Sequence, residues 1–120
     1  MNQEKKLFGQ IGRYVKALGV PIHIAGYMYL CDAVQVVLED FSSVYSVTKR
    51  VYPVVAKQHG VSSYNVQKCI GKAIRDAVSA QTELMQEMFG DYFSGRPAKP
   101  VSPVIFIARV SWRIRVENDQ

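Results

Sequence analysis

The sequence predicts an all-α domain of about six helices arranged around a central helix-turn-helix, with no wing. Three observations lead there. Apolar residues recur at spacings of three and four in one segment after another. Breaks at Gly19-Val20-Pro21, Ser42-Ser43, His59-Gly60-Val61-Ser62 and Gly95-Arg96-Pro97-Ala98-Lys99-Pro100 separate those segments. The two segments that meet at Gly60 have the spacing of helices joined by a tight turn. The chain has 120 residues, of which 48% are hydrophobic and 21% charged, enough to bury one core in a single domain spanning 1–120.

The elements follow in order. Residues ~5–18 place Leu7, Phe8, Ile11, Val15 and Leu18 on one helical face. Residues ~24–40 do the same with Tyr27, Leu30, Val34, Val37, Leu38 and Phe41. Residues ~46–59 carry Val47, Val51, Val54 and Val55, interrupted by Pro53, which either kinks that helix or opens a new one at its first turn. Residues ~63–80 give the clearest pattern, with Val66, Cys69, Ile70, Ala73, Ile74 and Ala77 inward and Asn65, Lys68, Lys72, Arg75 and Asp76 outward. A short helix over ~82–89 holds Leu84, Met85, Met88 and Phe89. The last segment alternates like a strand from Arg109 to Val116. Ser102-Pro103 is nevertheless a good helix start, Ile107, Val110 and Ile114 fit a helical stripe, and a lone strand has nothing to pair with. It reads as helix.

Composition narrows the function. Net charge is +5, with +3 in residues 1–60 and +2 in residues 61–120, a mild basic excess that favours polyanionic partners. Cys31 and Cys69 lie in apolar helical patterns without metal-ligand spacing and read as two buried thiols. No signal peptide opens the chain, and no apolar run approaches the ~20 residues that cross a bilayer, so a cytoplasmic, nucleoid-associated protein with no membrane partner is expected. There is no glycine-rich phosphate loop, paired carboxylate site or metal-spaced cluster, and His23 and His59 have no catalytic partner nearby in sequence. The reading is therefore not an enzyme, with no cofactor, no catalytic residue and no metal.

The stretch Val54 to Ile70 carries the functional signal. Ala56 lets a second helix approach, Gly60 supplies a positive φ, Val61 plugs the angle between the helices, Ser62 or Ser63 caps the second helix, and Val66 and Ile70 bury its inner face. The outer face is then free to enter a major groove. Asn65, Gln67 and Lys68 are the candidate base readers, because Asn and Gln match adenine edges and Lys reaches guanine O6 and N7. Ser62, Ser63 and Tyr64 at the helix start, with Lys49, Lys72 and Arg75, are the candidate phosphate contacts.

The chain also resembles a known family. The string from Leu18 through Gly19-Val20-Pro21-Ile22-His23-Ile24-Ala25-Gly26-Tyr27-Met28-Tyr29-Leu30 to Ala33-Val34 carries the resemblance. So do Thr48 to Lys57 and, near the end, Ala98-Lys99-Pro100 with Phe106-Ile107-Ala108. Over roughly residues 10–117 these are similar to the C-terminal effector domain of the master response regulator of endospore sporulation in Firmicutes. The resemblance implies six helices, of which the third and fourth bind short promoter boxes in double-stranded DNA, and a surface for RNA polymerase sigma factor. That surface maps to Ser79–Phe89, with Glu83 and Glu87 one turn apart. A homodimer on DNA is a further expected partner. Family members usually carry a phospho-receiver; here the effector motif begins within about 17 residues of Met1, so a stand-alone domain is expected and phosphorylation-driven dimerisation is not carried over. The family's recognition helix is rich in Arg and has a Glu among its base readers, whereas the matching positions here are Asn65, Gln67, Lys68 and Gly71. That departure motivates a rival of another class. In it the chain is a protein-interaction module that modulates a full-length sporulation regulator or sigma factor, with weak or no DNA binding.

Overall fold

Helix α2, Ala25–Glu39, is apolar on nearly every side and buries Tyr29, Leu30, Cys31, Ala33, Val34 and Val37, so the remaining helices are arranged around it. A computed structural model describes residues 2–119. Against α2 stand α1 (Asn2–Ala17), α3 (Tyr52–His59), α4 (Ser63–Ala80) and α6 (Pro103–Asn118), while α5 (Glu83–Phe93) is joined to α6 by ion pairs. No strand occurs among the described residues. The all-α expectation of about six helices holds, and the C-terminal segment is helix from Pro103, capped by the Ser102 hydroxyl that accepts from the Ile105 amide at 3.2 Å. Helix α2 packs on α1, α4 and α6, which places Ile11, Val15, Leu30, Val34, Ile70, Ile74, Phe106 and Val110 in one core.

Of the two outcomes expected of Pro53, the second occurs: it opens a new helix at its first turn. Lacking an amide, it cannot bond back to the preceding turn, and the backbone widens there: Val47–Val51 forms a π-turn, with the Tyr52 amide reaching the Val47 carbonyl, and α3 begins with Pro53 in its first turn. Ser42-Ser43 lies not in a simple turn but in a 3-10 helix, Phe41–Ser46, whose start is capped by Asp40 through Ser42 N at 3.2 Å and Ser42 Oγ at 2.7 Å. Arg50 reaches the same carboxylate at 2.6 Å and ties the π-turn to the 3-10 segment.

Several readings change. Helix α5 is kinked at Phe89, whose backbone leaves the helical region at φ -128° and ψ 15°, so the expected end near residue 89 falls at that kink and a further helical turn follows to Phe93. Arg109 on α6 spans the kink, bonding the Met88 carbonyl (2.8 Å) and both Asp91 carboxylate oxygens (2.8 and 2.9 Å) and stacking over Phe89 and Tyr92. That clamp lies 17 positions or more from its partners and is invisible to local periodicity. Val54, placed on the inner stripe by spacing, is 42% exposed, since the π-turn rotates α3 relative to the residues before it. Cys31 is buried, but Cys69 is only half-buried. Trp112 is exposed and rests edge-on against Phe41, with ring centroids 6.1 Å apart.

Candidate nucleic-acid interface

The turn between α3 and α4 is set by local chemistry. Gly60 adopts φ 65° and ψ 33°, the left-handed region, and nothing lies within 4 Å of where a Cβ would stand, so the requirement for glycine is conformational and not steric. The Gly60 amide bonds the Lys57 carbonyl at 3.4 Å and the Val61 amide bonds the Ala56 carbonyl at 3.0 Å, which together satisfy the free carbonyls at the end of α3. Of the two cap candidates, Ser62 is the one used: its Oγ accepts from the Asn65 amide at 3.0 Å. Ala56 is buried and Val61 half-buried, as the small-residue and plug roles require.

Helix α4 divides cleanly. Val66, Ile70, Ala73, Ile74 and Ala77 are buried. Tyr64, Asn65, Gln67, Lys68, Lys72 and Arg75 are exposed, Tyr64 at 74%. All three candidate base readers are exposed, Gln67 and Lys68 bordering one groove and Asn65 lying on the side of α4 toward Tyr29. Of the candidate phosphate contacts, Ser62 and Tyr64 flank the start of α4, Ser63 is half-buried there, and Lys49 is exposed on the π-turn ahead of α3. Lys72 pairs with Asp76 at 2.9 Å one turn on, whereas Lys68, Arg75 and Lys49 form no ion pair among the described residues. Their charge is uncompensated by any carboxylate in contact.

The C-terminal segment borders this surface without covering it. A groove runs between Tyr64, Gln67, Lys68, Gly71 and Arg75 on one side and Pro100–Pro103 on the other, with Ile74 at its floor. Gly71, bare of a side chain, opens its middle: the nearest atom to a Cβ built there is Arg75 Nη1 at 3.5 Å.

Three determinants of the site escape a sequence reading. The first is Gly26 on α2. A Cβ there would stand 2.4 Å from the Cys69 carbonyl oxygen and 2.8 Å from Ala73 Cβ, so α2 and α4 approach to backbone contact at that point. An isolated glycine inside a helical pattern was the available signal. The second is Asp32, which meets His59 Nε2 at 2.5 Å and fastens the last residue of α3 to α2. His59 thus engages a carboxylate from its own fold. The third is Tyr29, whose ring meets His59 edge-on at 5.0 Å and whose hydroxyl lies 3.5 Å from Asn65 Oδ1. Both of these contacts join residues 27 or more positions apart.

The surface mapped to sigma factor is partly committed elsewhere. Glu83 is exposed on α5, but Glu87 is in an ion pair with Arg113 of α6. His23 lies exposed in the turn before α2. Tyr27 packs against α1 and donates to the Gly12 carbonyl at 3.2 Å. No described helix is long and apolar enough to cross a membrane.

A family model described as the C-terminal domain of sporulation initiation factor Spo0A matches residues 11–114, which takes in every element from α1 to α6.

Proposed function

The chain belongs to the family of sporulation initiation factor Spo0A C-terminal domains, and from that premise we propose that it is a sequence-specific DNA-binding regulator of transcription that lays α4 in the major groove. The family is one of DNA-binding effector domains and not of enzymes, which makes double-stranded DNA the partner to test. One observation carries the finer reading: the outer face of α4 is exposed, polar and cationic, with Lys68 and Arg75 in no ion pair among the described residues. Asn65, Gln67 and Lys68 read bases. Ser62, Ser63, Tyr64, Lys49, Lys72 and Arg75 hold phosphates on either side and fix the register.

An in vitro selection with purified protein, followed by anisotropy titrations over a range of salt, tests this. The expected result is a defined motif and a log–log salt slope that reflects several phosphate contacts. Lys68→Ala should weaken binding and relax preference at one base by ~1–3 kcal/mol. Arg75→Ala should weaken all sequences alike and flatten the slope by about one unit. Lys72→Ala should flatten it less, because Asp76 already holds part of that charge. A selection that returns no motif, with a slope near zero, refutes the proposal.

A further inference from the structure

Resting on that reading of α4, we propose that Tyr29 is a positioning residue for base recognition: it orients the side-chain oxygen of Asn65 toward α2, so that Asn65 turns its amide nitrogen to DNA.

Tyr29 stands on α2 and is 7% exposed, so its hydroxyl is not a DNA contact itself. That hydroxyl donates toward Asn65 Oδ1 at 3.5 Å. The Cys69 thiol, one turn further along α4, points at the same oxygen with Sγ at 3.9 Å. Two protein donors therefore converge on Oδ1. The ring of Tyr29 is in turn braced by His59, edge-on at 5.0 Å and 64°, and His59 is held by Asp32 at 2.5 Å. A continuous set of contacts thus runs from α2, under the turn between the two helices, to the first turn of α4.

The consequence is chemical. A free asparagine amide offers one acceptor and two donor hydrogens and matches adenine by using both kinds at once, accepting from N6 and donating to N7. With Oδ1 approached from within by two long contacts, Asn65 offers its donors to DNA more readily than its acceptor. It then fits a base edge that presents acceptors, guanine N7 and O6 first, and is mismatched with the exocyclic amino groups of cytosine and adenine. The pairing with adenine that residue type alone suggests is replaced by a preference for guanine.

Selections run in parallel on the native chain, Tyr29→Phe and Asn65→Ala test this. Phe keeps the ring against His59 and removes only the hydroxyl. The native protein should show guanine at one position that becomes indifferent in Asn65→Ala. In Tyr29→Phe the guanine-to-adenine ratio at that position alone should fall roughly tenfold, the size of one good pairwise base contact. Cys69→Ala, which leaves Tyr29 untouched, should move the same ratio in the same direction by less and keeps the test open if Tyr29→Phe folds poorly. In the free protein, the Asn65 side-chain amide resonances should shift in Tyr29→Phe. If Asn65→Ala alters one position but Tyr29→Phe and Cys69→Ala leave every preference unchanged, the positioning role falls while DNA reading stands. If Asn65→Ala alters no position, Asn65 is not a base reader and both assignments fall.

Discussion

Gly26→Ala separates two opposing effects at the helix crossing that carries the recognition surface. Helix propensity favours the substitution by about 1 kcal/mol, since alanine is the better residue inside a helix. Packing opposes it. The new Cβ would lie 2.4 Å from the Cys69 carbonyl oxygen, 2.8 Å from Ala73 Cβ and 3.1 Å from the Cys69 carbonyl carbon. An ordinary carbon–oxygen contact is about 3.3 Å or more, so α2 and α4 must part by roughly 0.9 Å. Two of the three obstructing atoms are backbone, which no rotamer change relieves. Overpacking in a closed core typically costs 1–3 kcal/mol, and a clash with backbone belongs at about 3. The net expectation is a loss of about 2 kcal/mol, read as a urea midpoint lower by about 1 M at an ordinary slope for a chain of this size. Ala73→Gly in the same background should restore little, because the carbonyl clash remains and a glycine inside α4 itself costs about 1 kcal/mol. Urea unfolding followed by circular dichroism measures both. A midpoint that stays level or rises would mean that propensity alone decides, and that α2 and α4 do not cross in backbone contact.

Other predictions follow from the same packing. Gly71→Ala should stabilise the fold by up to ~1 kcal/mol, because its Cβ would meet only the far end of Arg75 at 3.5 Å; a lower melting temperature would contradict this. Burial pushes the Cys31 thiol up to about 12 despite a hydrogen bond with Tyr27, so in the native protein a thiol reagent at neutral pH should label Cys69 readily and Cys31 only on unfolding. Equal labelling rates at the two thiols would refute the burial of Cys31. Hydrogen bonds from Arg109 hold the Asp91 carboxyl below the usual carboxylate range. Its folded pKa lies below the unfolded one, so its contribution is present above about pH 4 and is lost as pH falls through the folded value. The urea midpoint of Asp91→Asn should therefore decline less steeply on acidification below about pH 4 than that of the native chain; parallel curves would show that the pair contributes nothing.

What the sequence disclosed and what it withheld divide along contact distance. The helix-turn-helix was legible because its determinants are local. Gly60 needs its φ, Ser62 caps three residues ahead, and Val66, Ile70, Ala73 and Ala77 repeat along one face. The inward and outward sides of α4 were legible for the same reason, Cys69 excepted: it follows the apolar spacing, yet sits half-buried at the edge of the stripe beside Asn65. The turn of α5 beyond the kink at Phe89 is held by Arg109, and the set of Tyr29 needed Asn65 and His59, contacts that no window of a dozen residues contains. Pro53 was legible as a break, but whether it kinks or starts a helix depended on whether the backbone could take up an extra residue in a π-turn.

The make-up of α4 bears on how such a surface divides affinity from discrimination. In the proposed complex, charge at Lys49, Lys72 and Arg75 would act on any sequence through phosphates and be screened by salt. The centre of the face holds two neutral amides, Asn65 and Gln67, one cation, Lys68, and a bare Gly71. Neutral amides add little to indiscriminate attraction. Each one set against the wrong base edge nevertheless leaves a desolvated donor or acceptor unpaired, at a cost of about 1–3 kcal/mol. Replacing guanidinium groups by amides therefore lowers the salt-dependent part of binding more than it lowers the preference between sequences. It follows that affinity at ordinary ionic strength is a poor gauge of whether this face reads DNA. The ratio between best and scrambled sites, measured at low salt where the phosphate contacts hold both in place, is the quantity on which the reading stands or falls.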